Sequence, residues 1–276
     1  MTPAFPATRL RTTSITAAVL LAALALAGCS SSIADQAAPS QTPAAGGVTP
    51  EIQGTVTVFA AASLTETFDA LKLAFESANP GTEVVYNYGG SSALAEQIVQ
   101  GAPVDVFAAA STATMTTVTD ASLTAADPVN FATNTLEIAV PVGNPGKVTG
   151  LDDFADKDLA IAVCAEEVPC GAASAKIFEV TDVTPSVDTY EQDVKAVLTK
   201  VELGEADAGL VYVTDVKAAG DKIEGVEFPE AADAVNDYPI AALSGSTNPD
   251  AAAAFVAFVL SPEGQSALSD AGFGTP

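Results

Sequence analysis

The sequence predicts an α/β protein of two lobes joined by two crossovers, with a ligand cleft between them. Three observations carry this. Strand-like and helix-like patterns alternate from residue 54 to the C-terminus. The alternation leaves one α/β unit near residue 135 and returns to it near 238. The roughly 220 residues involved suit two modest lobes, each with its own core.

The elements follow in order. Val56–Phe59 is an apolar first strand, and Leu64, Phe68, Leu71 and Phe75 follow at helical spacing up to a stop at Asn79-Pro80-Gly81. Glu83–Tyr88 is a second strand, Gly89-Gly90-Ser91-Ser92 a turn, and Ala93–Gln100 a helix stopped by Gly101. Val104–Ala108 is a strand, with a helix near Ala113–Thr119. Leu136–Val142 and Leu159–Val163 are strands, Gly171–Glu179 a helix, and Asp193–Leu203 a helix with Val194, Val197, Leu198 and Val201 on one face. Gly209–Val213 and Pro239–Leu243 are strands; Ala251–Leu260 and Pro262–Ala271 are helices. Alternation of this kind predicts largely parallel pairing. The lobes are expected at 54–135 with 238–276, and at 136–237.

Ahead of the folded part, Arg9 and Arg11 precede an apolar run from Ile15 to Ala27. The run is shorter than the about 20 residues a membrane span needs and has the form of a secretion signal over 1–28. It ends in Leu26-Ala27-Gly28-Cys29, which resembles the lipobox of bacterial lipoproteins and implies lipidation at Cys29. The rest of 29–53 holds no aromatic residue and reads as a flexible tether reaching on the order of 25–30 Å.

Composition excludes several functions. Without Arg9 and Arg11, eight lysines face 35 acidic residues, leaving −27. Nucleic acid and anionic membrane surfaces are poor partners for such a body. The chain has no His and no Trp, and no Arg after position 11. That removes Ser-His-Asp and Cys-His catalysis and the common zinc sites, so no residue is nominated as catalytic or as a direct ligand of a metal cation. It also removes the bidentate guanidinium clamp for a carboxylate or phosphate. Cys164 and Cys170, six apart in a secreted chain, are most simply a disulfide closing a small loop.

Five polar points fall at element ends. Ser63 stops the first strand with Glu66 three residues on, the spacing of a capping box. Such a turn gathers a hydroxyl and free N–H groups at the positive end of a helix, where an anion can be held. Ser91 repeats the pattern after Gly89-Gly90. Cys170 opens a helix after Pro169, and Val194 lies in the first turn of another, so both have amides without intrahelical partners. Tyr212 sits in the apolar strand G-L-V-Y-V. Singly, Ser63 and Ser91 read first as ordinary caps and Tyr212 as a core tyrosine, while Cys170 reads as part of a stapled loop and Val194 as a core side chain.

Together the segments F-A-A-A-S-L-T, G-G-S-S-A-L-A-E-Q-I-V-Q-G-A-P-V-D-V-F, the P-C-G turn and D-V-K-A-V-L-T-K-V-E-L-G-E-A-D-A-G-L-V-Y-V-T-D resemble the molybdate-binding proteins of bacterial ABC importers. The likeness spans about 54–276, including V-N-D-Y-P-I and S-P-E-G-Q. It implies a type II periplasmic-binding fold with two crossovers. It implies that Ser63 and Ser91 hydroxyls, Cys170 and Val194 amides and the Tyr212 hydroxyl hold molybdate or tungstate, with no cofactor. It further implies a monomer, lipid-anchored outside the cell membrane, that delivers its ligand to permease and ATPase subunits. Where the family often has Ala after Pro, this chain has Cys170, which a backbone contact tolerates. Ser92 replaces Ser91 if the turn shifts by one residue.

Neutral donors suit a fully deprotonated oxyanion. Phosphate carries a proton at neutral pH and would need a buried acceptor, so a donor-only pocket penalises it. Sulfate or another oxyanion on the same fold is one alternative; a secreted Ser-Lys hydrolase and a non-binding acidic surface lipoprotein are others.

Overall fold

The computed structural model describes residues 52–276. The expected signal peptide, Cys29 and the tether up to residue 51 lie outside the described residues. Residues 52 and 53, expected as the end of the tether, belong to the body: Ile52 packs against the core, and the Gln53 carbonyl accepts from Asn248 Nδ2 at 2.8 Å.

The first lobe begins with β1 (Gly54–Ala61), α1 (Thr65–Ala78), β2 (Thr82–Gly89), α2 (Ser91–Val99), β3 (Val106–Ala108), α3 (Thr112–Asp120) and β4 (Val129–Asn134). The second holds β5 (Leu136–Pro141), β6 (Ile161–Cys164), α4 (Pro169–Thr181), β7 (Thr189–Glu191), α5 (Val194–Glu202), β8 (Ala208–Tyr212), α6 (Val213–Ala219) and β9 (Ile223–Val226). The chain then returns with β10 (Asn236–Ala242), α7 (Pro249–Val259) and α8 (Pro262–Ala271).

Each lobe has a five-stranded sheet, ordered β2-β1-β3-β10-β4 and β7-β6-β8-β5-β9. β1 is parallel to β2 and β3, and β6 to β7 and β8, but β10 runs against β3 and β4, and β5 against β8 and β9. The largely parallel expectation is therefore corrected to mixed sheets. The reason is the double crossover. β4 leaves toward the second sheet and β10 comes back from it, so β10 must oppose strands reached through helices. The sequence pattern also misses β4, β7, β9 and α6, which are short or lie at sheet edges.

Val56, Val58 and Ala60 on one face of β1 and Phe59 and Ala61 on the other are all buried, because helices cover both faces of the sheet. Phe68, Leu71 and Phe75 give α1 its apolar stripe, and Phe75 meets Phe255 of α7 edge-on at 5.3 Å. No single helix among the described residues is long and apolar enough to cross a membrane.

Candidate functional site

The C-terminal ends of β1 and β2, the N-termini of α2, α4 and α5, and the end of β8 converge on one small cavity between the sheets. It has an empty volume of about 200 Å³. A space of this size suits a small ion, not a sugar or peptide. Ser63, Ser91, Cys170, Val194 and Tyr212, all five nominated from sequence, line it. The other walls are mostly small apolar residues such as Ala62, Gly90 and Ala110.

Local structure corrects the reading of Ser63. A 3₁₀ turn over Ala62–Leu64 precedes α1, whose N-cap is Leu64, with no side-chain cap. The inserted turn displaces Ser63 from the capping position. Its Oγ lies 2.9 Å from Tyr238 Oη, while Glu66 pairs with Lys195. The capping box is therefore absent, and the hydroxyl is held by a buried phenol instead. Ser91 does not cap either: the N-cap of α2 is Gly90, and Ser91 Oγ accepts the Ala110 N–H at 3.0 Å. That bond takes a lone pair and leaves the Ser91 proton free. Ser92 Oγ donates to the carbonyl of Glu167 in the opposite lobe.

In the second lobe, Cys164 and Cys170 are joined, closing the loop that leads into α4. Cys170 lies in the first turn of α4, where its amide precedes the i→i−4 ladder. Gly171 must be glycine: a Cβ there would sit 1.8 Å from the Ala165 carbonyl oxygen, so its absence lets the helix start against the loop. Val194 is the first residue of α5; its side chain is buried and its amide is unpaired by helix geometry. Asp193, the one carboxylate in the wall, caps that helix by accepting from Ala196 N at 3.0 Å. Tyr212 is 1% exposed and its hydroxyl has no hydrogen-bond partner among the described residues. A buried, unsatisfied donor in a cavity wall is costly unless something else accepts from it. Burial, then the neighbouring Tyr238 and Asp215, pushes its pKa well up, so it stays a neutral donor.

No lysine lines the cavity. The nearest charged cluster lies behind it. Lys195 Nζ is 3.0 Å from Oδ1 of the fully buried Asp215 and 2.8 Å from Glu66 Oε2 across the cleft. Burial works against the Lys195 charge, but the two carboxylates outweigh it and raise its pKa. Burial raises that of Asp215, with Lys195 opposing. Asp215 also accepts the Tyr212 amide at 3.1 Å, fixing the end of β8. Sequence reasoning missed Tyr238, Lys195 and Asp215 as parts of this region; Tyr238 lies inside β10, whereas Lys195 beside Val194 and Asp215, three residues after Tyr212 at capping-box spacing, stood at helix starts where the signal was present.

Neither serine has a basic partner: Ser63 meets a phenol and Ser91 a backbone amide. Uncharged donors from two lobes, gathered on one small space, define a binding protein of the two-lobed periplasmic type. The chain belongs to the bacterial extracellular solute-binding protein family, which matches residues 56–274. It is 40% identical over 264 residues to the molybdate-binding protein ModA of Mycobacterium tuberculosis H37Rv, covering 96% of this chain and 97% of that one. Among solved structures it resembles the sulfate-binding protein SubI of M. tuberculosis H37Rv, with TM-score 0.71, 18% identity and coverage of 80% and 86%. It also resembles the periplasmic molybdate-binding protein of Azotobacter vinelandii, with TM-score 0.67, 19% identity and coverage of 80% and 99%. At these identities the two structures bear on the fold alone.

Proposed function

We propose that this chain captures molybdate, and tungstate with it, between its lobes and delivers it to an ABC importer. The carrying observation is the cavity wall: two serine hydroxyls, two helix-start amides and an unpartnered tyrosine hydroxyl converge from both lobes with no cationic side chain. Helix N-termini supply partial positive charge, and every proposed contact donates. A dianion without a proton satisfies all of them. The 40% identity to a protein named for molybdate binding supports the choice of ion. The body's acidity does not oppose this, because charge beyond about 8–10 Å is screened while donors act at contact. A lipid anchor at Cys29 would hold the monomer at the outer face of the membrane, where closed lobes present the loaded state to the permease. Neither serine has a basic side-chain partner, which favours binding over catalysis.

Sulfate is the second reading, since it is equally deprotonated and tetrahedral. A thermal-shift and calorimetric panel of molybdate, tungstate, sulfate and phosphate separates them. Molybdate and tungstate should raise the melting temperature most, and Ser63→Ala with Ser91→Ala should abolish the shift. A larger response to sulfate, or unchanged molybdate affinity in the double variant, would overturn the assignment.

A further inference from the structure

Both lobes are strongly acidic. Residues 54–134 with 236–276 hold 12 acidic residues against one lysine, and residues 135–235 hold 21 against seven, formal charges of −11 and −14. Closure brings these like-charged bodies into contact, within the distance at which salt screens poorly. The one lysine of the first lobe, Lys72, pairs with Glu76 on its own helix. Two lysines of the second lobe reach across the cleft instead.

Glu66, Lys217 and Asp270 line a groove between α1, α6 and α8 that shares Ser63 with the anion cavity. Lys195 Nζ donates to both carboxylate oxygens of Glu66, at 2.8 and 2.9 Å. Lys217 Nζ donates to the Asp270 carbonyl at 2.6 Å, in the last turn of α8, where carbonyls lack helical partners and the dipole is negative. Both contacts join the lobes. The first is also tied to the donors. Lys195 follows Val194, and Glu66 lies three residues past Ser63. Lys195 Nζ is 3.0 Å from Oδ1 of the buried Asp215, which accepts the Tyr212 amide. One ion pair thus links the segment carrying Ser63 to those carrying Val194 and Tyr212.

We propose that Glu66 and Lys195 are positioning residues for the anion: a strap between the lobes, aided by Lys217, that offsets their mutual repulsion and holds the closed, loaded state. The strap rests on the oxyanion-binding reading above. It gives Glu66 an effect opposite to its charge. As a bare carboxylate near a dianion's site, its removal should tighten binding; as one end of a strap, its removal should loosen it.

The test compares wild type, Glu66→Gln, Lys217→Met, the pair, and Glu83→Gln by calorimetry and stopped-flow release of molybdate at about 20 and about 500 mM salt. Glu83 is an exposed carboxylate of the same lobe, near the start of β2 and so at the end away from the cavity. Lys195 itself stays in place, because removing it would strand the buried Asp215 charge. Glu66→Gln should weaken molybdate about two- to fivefold at low salt, the range of a half-exposed pair. The loss should appear as faster release, since the strap forms after the ion has entered, and should shrink at high salt. Lys217→Met should act likewise, and the two should multiply. Melting temperatures without ligand should hold, and Glu83→Gln should leave affinity unchanged or slightly tighter. Glu66→Gln binding molybdate as tightly as wild type, or more tightly, overturns the strap, as does a loss that persists undiminished at high salt or is matched by Glu83→Gln. A wild-type protein that binds no tetraoxo anion overturns the functional reading itself.

Discussion

At Gly90 the two lobes touch closely, and adding one carbon there separates closure from folding. A Cβ at Gly90 would lie 2.3 Å from the Gln192 carbonyl oxygen and 3.3 Å from Val168 Cγ1, both in the opposite lobe. Ordinary contact begins at 3.4 Å, so the lobes must part by about 1.1 Å at this point, the difference between 3.4 and 2.3. The backbone of Gly90, at φ −62 and ψ 127, is one alanine adopts freely. Within its own lobe Gly90→Ala therefore meets no backbone strain, and the roughly 0.4–1 kcal/mol gained from a narrower unfolded ensemble offsets the poorer N-cap that alanine gives α2. Gln192 precedes Asp193 and Val194, and Val168 precedes Pro169 and Cys170. The displacement thus falls on the segments that carry the two amides facing the cavity. Moving a 2.9 Å hydrogen bond out by about 1 Å ends it. Each bond to an ion is worth about 1.5–3 kcal/mol, so losing one weakens binding roughly 10- to 150-fold, and losing both by more. Calorimetry with molybdate should show that rise in Kd, while the melting temperature without ligand holds. Wild-type affinity in Gly90→Ala would refute both the closed geometry and the placing of donors on the second lobe. A fall in ligand-free stability would refute the claim that the contact serves closure alone.

Two other perturbations probe buried polar groups. Tyr212→Phe removes a hydroxyl with no protein partner, so the ligand-free protein should keep or gain melting temperature while molybdate affinity falls about tenfold or more; equal losses in both would make Tyr212 a structural residue. Glu137 on β5 is buried, and burial together with repulsion from Glu227 raises its pKa above the ordinary 4.5. The folded state then holds its proton more tightly than the unfolded, so stability falls as pH rises above about 4.5. Glu137→Gln should gain melting temperature over wild type as pH goes from 4 to 8; a difference constant with pH would show that its charge is not destabilising.

Much of the architecture could be read from local pattern. The apolar run of β1, the 3–4 spacing of Phe68, Leu71 and Phe75, and the valine face of α5 each declare their element because burial on one or both sides leaves a period in the residues. β4, β7 and β9 leave none: they are short or lie at sheet edges, and their partners are distant in sequence. The antiparallel direction of β10 and β5 belongs to the path between lobes, which no local window contains. The candidate donors were legible for a related reason. Ser63, Ser91, Cys170 and Val194 sit at element ends, where unpaired groups must gather whatever the fold, and the segments around them carried the family likeness.

What each donor does was decided elsewhere. From the chain alone, Ser63 with Glu66 three residues on is a capping box; in space, Glu66 reaches Lys195 from residue 66 to 195 and Ser63 meets Tyr238 across 175 residues. The sequence determined which groups would be free to donate, because helix geometry leaves the same N–H groups unpaired in any fold. Only the tertiary structure determined their direction and company. A hydroxyl's proton follows its nearest partner: for Ser63 that partner is on β10, for Ser91 it lies in the turn after β3, and for Tyr212 there is none among the described residues.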